Sequence, residues 1–251
     1  MNMILKLVYR KYKKIISKLK FYYSINWAKT LFFNFSMLPY STAKKIPILF
    51  YGNVKFIGLK GKVIIESPIK FGMVGFGQKY EMFSVSKKNA QLTLNGTFII
   101  KGNVQFGIDF FVYISKGATL EMGHLSSLGG SGKIICTNFI RFDNFARVGF
   151  ESQIIDSNFH LMKDLTTGNV FPMSNPIHLG KYNYVGNRVT IMQGTQTPDY
   201  CTIASFSLCN KDYAKLGNNI LLGGIPAKLI RSQIARCWSD EIETLEKTLI
   251  V

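Results

Sequence analysis

From residue 177 the chain falls into sixes: IHLGKY, NYVGNR, VTIMQG, TQTPDY, CTIASF and SLCNKD. The third position reads Leu179, Val185, Ile191, Thr197, Ile203 and Cys209, and the fourth reads Gly180, Gly186, Met192, Pro198, Ala204 and Asn210. A period of six is neither the 3.6 of a helix nor a plain alternation of two. Positions one and three of each six tend to be apolar or small, which gives short strand-like alternation, and the small fourth residue is expected to permit a corner. The rhythm slips by one after Cys209 and resumes at Leu216-Gly217 and Leu222-Gly223. Weaker sixes lie upstream at Ile108, Ile114 and Leu120, and at Ile134, Ile140 and Ala146 after the loop GHLSSLGGSG. Repetition at so short a period is the signature of a β-helix, in which each coil stacks on the next. An antiparallel barrel would not hold the spacing constant through its turns.

Composition agrees with such a scaffold. Of 251 residues 47% are hydrophobic, and 22 Gly against 7 Pro suit a β-rich fold with many tight turns. Lys and Arg exceed Asp and Glu by 17, and residues 1–65 hold 13 of the basic residues and no acidic one. The basic excess therefore belongs to one terminal segment, which argues against a nucleic-acid-binding body and for an anionic surface as partner. That segment opens with MNMILKLVYRKYKKIISKLKFYY. On a helix, Ile4, Leu5, Val8, Tyr9, Tyr12, Ile15, Ile16, Leu19, Tyr22 and Tyr23 share one arc, and seven Lys and Arg fill the rest. Two readings stay open here: a helix lying on an anionic membrane surface, or one packed on its own protein with a solvated basic face. No apolar run reaches the ~20 residues of a membrane-spanning helix, and no signal peptide is expected. The four cysteines have neither C-x-x-C nor zinc-site spacing and read as reduced, partly buried thiols.

Three features together resemble the left-handed β-helix acyltransferases, the hexapeptide-repeat family, and most of all the branch that O-acetylates sugars of bacterial surface polysaccharides. One is the repeat. The second is PIHLGKYNYVGNRVTIMQG, which is similar to the family's proline-led rung followed by a W-I-G rung, with Tyr184 in the Trp position. The third is LLGGIPAKLIR, which resembles the family's G-N-P-A-K ending with Ile225 in place of Asn. The resemblance implies an all-β, left-handed parallel β-helix over residues 47–230, with a loop at 157–176. A basic amphipathic helical segment over 1–46 would precede it, and a C-terminal helix within 231–251, near 231–248, would follow.

The family transfers an acyl group from coenzyme A to a hydroxyl, which needs a base near that hydroxyl and donors for the oxyanion. DSNFH, in a polar loop just before the repeat, resembles the family's D-x-D-x-H segment and carries the base onto His160. An imidazole titrates near ~6.5, which suits a base at neutral pH. Asp156 is expected to orient that ring. Asn158 stands where the family has Asp. The resemblance also puts acetyl-CoA along Tyr184, Gly186, Ala204 and Ser205, with its phosphates on Lys228 and Arg231. It implies a homotrimer with sites between subunits, a saccharide acceptor and no resident metal. The location implied is cytoplasmic, with peripheral contact at the inner face of the membrane through residues 1–23. His124, His160 and His178, spaced by 36 and 18 residues, also admit a zinc reading. Transfer of another acyl group, an amine or small-molecule acceptor, and a non-catalytic membrane-surface scaffold are the remaining alternatives.

Overall fold

The computed structural model describes residues 3–80, 86 and 90–248. Three parallel sheets form a three-sided prism. Face one holds nine strands, from Ile48–Phe50 to Lys228–Ser232; face two holds seven, from Val54–Leu59 to Leu208–Cys209; face three holds five, from Lys62–Ile65 to Ile177–Leu179. Successive strands of the chain visit the faces in turn, so each circuit stacks on the one before. This is the left-handed parallel β-helix expected from the repeat.

The register explains where the rhythm was visible. Tyr184 pairs with Thr202, Thr190 with Leu208, and His178 with Gln196, each eighteen residues apart, or three sixes. Upstream coils are longer. Phe111 pairs with Lys133 and Lys133 with Gln153, so extra residues sit at the corner from face two to face three and blur the period. Across the loop at 157–176 the step grows again, from Gln153 to Thr190.

The interior is apolar and close-packed. Along face one, Phe50, Phe76 and Phe106 occupy register positions one above another, with ring centroids 5.0 and 4.2 Å apart and planes within 6°. Such pairs add about 1 kcal/mol each beyond their burial. A second ladder runs outside, on the corner from face three to face one. Phe145, Tyr182 and Tyr200 stack at 4.7 and 4.8 Å, and Trp238 meets the first two edge-on.

The corners correct one expectation. The left-handed backbone falls on the sixth residue of the first five sixes, not the fourth: φ is +55° at Tyr182, +56° at Arg188, +75° at Gly194, +56° at Tyr200 and +60° at Phe206. A non-glycine residue there is unfavourable by roughly 1–2 kcal/mol, and at Tyr182 and Tyr200 ring stacking offsets it. The fourth residue is small for another reason. A Cβ on Gly180 would stand 2.6 Å from the carbonyl oxygen of Pro198, and one on Gly186 would stand 2.7 Å from the amide of Ser205. Close approach of the next coil, not turn geometry, selects glycine.

Helices close the first end and a returning strand completes the last. Three of them, α1 (Met3–Ser24), α2 (Trp27–Met37) and α3 (Tyr40–Ala43), precede the first strand. The first strand has an open edge, and α2 completes it with side chains. Asn34 Nδ2 donates to the Ile48 carbonyl at 2.7 Å and Asn34 Oδ1 accepts the Ile48 amide at 3.2 Å, while Thr30 Oγ1 accepts the Phe50 amide at 3.0 Å. At the other end Lys228–Ser232 turns back antiparallel to Ile220–Gly223. The C-terminal helix expected near 231–248 is α4 (Ser239–Thr248) alone. Residues 228–232 are strand because they complete the last open edge of face one. Trp238, Leu245 and Ile242 then lay the C-terminal segment on the external ladder with Leu125 and Phe145.

Candidate functional site

The loop at 157–176 leaves the corner between faces two and three, after Gln153–Ile155, and returns at Ile177–Leu179. Its root is built by Asp156. The residue is fully buried, and its Oδ1 accepts the Thr137 amide at 2.8 Å and the Thr137 hydroxyl at 2.9 Å, while Oδ2 accepts the Asn138 amide at 2.8 Å. These amides belong to the longer corner of the coil before, so one carboxylate closes that corner and fixes where the loop departs. The expected contact with His160 is not among these bonds; both oxygens are turned to the preceding coil.

Above this root, Ser157 pairs with Ser174, Phe159 N donates to Ser157 Oγ at 2.9 Å, and Asn158 N donates to the Met173 carbonyl at 2.9 Å. The loop continues as a short hairpin in which Met162 pairs with Phe171 and Lys163 with Val170. Asp164 caps its tip by accepting the amides of Thr166 and Thr167, and these donors hold its carboxyl below the ordinary value. The loop read as polar from its sequence is not polar in space: Phe159, Leu161, Met162, Leu165, Val170, Phe171 and Met173 are all exposed. His160 is exposed among them.

A cavity of about 590 Å³ lies between the loop and the last coils. Asn158, Met162 and Phe171 wall it on the loop side, and Met192, Gln193, Leu208 and Asn210 on the other. His160 stands between Asn158 and Met162 in sequence. Gln193 Oε1 is buried without a hydrogen-bond partner, a free acceptor beside this cavity. Gln193 and Asn210 were not singled out from the sequence, because in the repeat they look like ordinary corner residues.

The residues carried over for coenzyme A lie elsewhere on the same chain. Tyr184 is on face one, and Gly186, Ala204 and Ser205 follow it at the corner into face two. Ser205 Oγ accepts the Asn187 amide at 3.0 Å. Lys228 and Arg231 are exposed on the antiparallel strand at the end of face one. Arg236, unremarked in the sequence, stacks over Tyr184 at 4.9 Å. Within one protomer, then, Asp156 and His160 share the corner between faces two and three, while the six other candidates share the region of the corner between faces one and two.

The remaining histidines sit apart. His178 Nε2 is 2.8 Å from Asp143 Oδ2 on face three, where Arg141, Glu121, Lys101 and Glu66 extend an ion-pair chain. Burial raises the Asp143 carboxyl, but the bonds from His178 and Arg141 outweigh it and the net displacement is downward. His124 is packed on the corner from face three to face one; its Nδ1 accepts the Asn103 amide at 3.2 Å and burial lowers its pKa. Among the described residues no three His, Cys, Asp or Glu side chains gather as a metal-binding group. Three thiols are buried, and burial pushes Cys136 and Cys201 up, and Cys209 to about 12.

No protein-family model and no curated sequence matches the chain. Solved structures that share its fold include two acetyltransferases. One is the polySia-specific acetyltransferase NeuO, 17% identical, with a TM-score of 0.50 over 75% of this chain and 88% of that one. The other is the polysialic acid O-acetyltransferase OatWY, 17% identical, with a TM-score of 0.52 over 74% of this chain and 91% of that one. The chain has the left-handed β-helix fold of these two acetyltransferases.

Proposed function

We propose that the protein is an acetyl-CoA-dependent O-acetyltransferase acting on a sugar hydroxyl of a surface polysaccharide or its lipid-linked precursor, with His160 as general base. The observation that carries this reading is the placement of an exposed histidine on a braced loop that walls a cavity against the last coils of the β-helix. The two fold neighbours, both O-acetyl or acetyl transferases to a sialic acid polymer, support it. His160 takes the proton from the acceptor hydroxyl as its oxygen attacks the thioester carbonyl. The tetrahedral intermediate collapses with loss of the coenzyme A thiolate, and the proton held by the imidazolium passes to that sulfur. Gln193 Oε1 is a fit acceptor for a hydroxyl or amide N–H in the cavity. Asp156 acts one step back, by fixing the loop's departure. No covalent cysteine intermediate is invoked, because buried thiols with raised pKa values are poor nucleophiles.

The donor site is assembled between subunits of a homotrimer. Seven exposed apolar side chains on one loop form a surface that soluble monomers seldom leave open. A neighbouring protomer that covers the hairpin would bring its face-one corner, with Tyr184, Gly186, Ala204, Ser205, Lys228 and Arg231, toward His160. The two cations there suit the phosphates of acetyl-CoA. Residues 1–23 supply peripheral contact with an anionic membrane on the cytoplasmic side. In α1, Tyr9, Tyr12, Ile15, Leu19, Tyr22 and Tyr23 are exposed, which favours this over a helix packed on its own protein; the side chains of residues 1–8 lie outside the described ones. No described helix is long and apolar enough to cross a membrane. The test is mass spectrometry of saccharide acceptors incubated with acetyl-CoA: a single added acetyl ester, absent with His160→Ala, supports the reading, and no transfer to any saccharide contradicts it.

A further inference from the structure

The helix α2 turns one side to the first coil and an apolar side away from it. Its inner side carries Thr30, Phe33 and Asn34, which close the first coil. Its outer side carries Leu31, Phe32 and Phe35, which are 41%, 56% and 49% exposed, and Tyr40 on α3, 73% exposed, continues that surface. A contiguous exposed apolar surface of this kind marks a contact with a partner or a membrane. Hydrogen bonds between coils run along the prism axis. Asn34 and Thr30 bond the open edge of Ile48–Phe50, so α2 lies across the end of the prism and its outer side looks out along that axis.

Charge decides what covers it. Residues 1–65 hold 13 Lys and Arg and no acidic residue. Two copies stacked end to end would bring these excesses together and repel, whereas an anionic lipid surface attracts both the cations and the apolar helix faces. We propose that the α2 end of the prism is a lipid-facing platform that, with α1, seats the protein on an anionic bilayer with the prism axis standing away from the surface. The consequence is a fixed height for the loop site. On face two, four strand-to-strand steps separate Val54–Leu59 from Gln153–Ile155, where the loop departs. At ~4.8 Å a step the site stands about 20 Å from the first coil. An acceptor anchored in the same membrane must then be an extended saccharide of several units, not a single sugar on its lipid. This height argument rests on the acyltransferase reading of the loop; the platform does not.

The experiment places an environment-sensitive dye on Phe35→Cys, or on Asn218→Cys at the opposite end, in full-length protein whose exposed Cys237 is replaced by Ser. Vesicles of phosphatidylcholine, with and without phosphatidylglycerol, are the probe. The expected result is a blue shift at position 35 with anionic vesicles only, and none at position 218. The double variant Leu31→Ser/Phe35→Ser should bind anionic vesicles at least tenfold more weakly while its turnover on a soluble saccharide stays within twofold of the parent. Turnover on vesicle-anchored saccharides should rise with their length. An unshifted dye at 35 on anionic vesicles overturns the platform. So does a shift without vesicles accompanied by a doubled mass, which would mark a second copy as the occupant. Equal turnover on short and long anchors overturns the height. Absence of turnover on every soluble saccharide by the parent protein instead overturns the acyltransferase reading and leaves the platform standing.

Discussion

Asp156 and Thr137 are joined twice: one carboxylate oxygen accepts both the amide, at 2.8 Å, and the hydroxyl, at 2.9 Å, of a residue in the preceding coil. Because Asp156 is fully buried, its replacement by Ala removes the one carboxylate that accepts the Thr137 and Asn138 amides and the Thr137 hydroxyl at this corner. The expected cost is roughly 3 kcal/mol, read by urea denaturation. Turnover should fall with it, since the loop loses its root. Thr137→Val removes only the hydroxyl and should cost about 1 kcal/mol with activity retained. A stable Asp156→Ala protein that has lost activity would mean that this carboxylate serves His160 directly.

His160 makes the opposite pattern. It is exposed on the loop, so His160→Ala should leave the denaturation midpoint unchanged. Turnover should drop about 10²–10⁴-fold, the usual worth of general-base catalysis, with coenzyme A binding by calorimetry preserved.

The external ladder should hold the C-terminal segment. Trp238 is nearly buried, packed edge-on to Phe145 and Tyr182 and covered by Arg236 at 4.5 Å. Trp238→Ala should cost about 3 kcal/mol and expose α4 to limited proteolysis, whereas Trp238→Phe should recover most of the stability. Equal protease resistance in parent and Ala variant would show that α4 is held by other contacts.

His124 gives the fold a dependence on pH. Burial lowers its pKa in the folded protein, Glu246 opposes this and Lys70 reinforces it. The unfolded chain therefore takes up the proton first. Stability from this residue is fully present above the unfolded value near ~6.5 and is lost as pH falls through that value toward the folded pKa. Urea midpoints measured from pH 7.5 to 5 should fall for the parent protein, and the slope should flatten in His124→Asn. An identical slope in the variant would assign the loss to other groups.

The coils between Ile177 and Cys209 could be read from the sequence because their steps are eighteen residues and their inward positions Leu179, Val185, Ile191, Ile203 and Cys209 are buried. The earlier coils showed only broken sixes, because residues such as Thr137 and Asn138 lengthen one corner and shift every later position. The corner glycines were visible, but their reason was not: the contact of Gly186 with Ser205 spans a coil and has no local signature. His160 was found through a motif, and nothing local to that motif tells that Asp156 turns to Thr137. The residues around the cavity, such as Gln193 and Asn210, come together only when the loop folds against the coils. The basic opening helix was legible as an amphipathic arc. The double-faced α2 was not separated from it, since Phe32, Phe33 and Phe35 look alike until Asn34 is seen bonded to Ile48.

The proposed trimer would be held through the exposed hairpin. Light scattering should give three protomers, and the double variant Leu165→Asp/Phe171→Asp should dissociate them while circular dichroism stays that of a β-helix. Activity should be lost on dissociation, because His160 and the cations Lys228 and Arg231 would no longer meet. A fully active monomer would place the whole site within one chain.

Transfer of an acetyl group from acetyl-CoA to a sugar hydroxyl, with His160 as base, can be watched atom by atom. The most direct measurement is proton NMR of a purified saccharide acceptor, incubated with acetyl-CoA and either the parent protein or His160→Ala at equal concentration. With the parent, a growing O-acetyl methyl signal should be matched by free coenzyme A, and with the folded variant the rate should be lower by at least about a hundredfold. An undiminished rate with His160→Ala would contradict His160 as base.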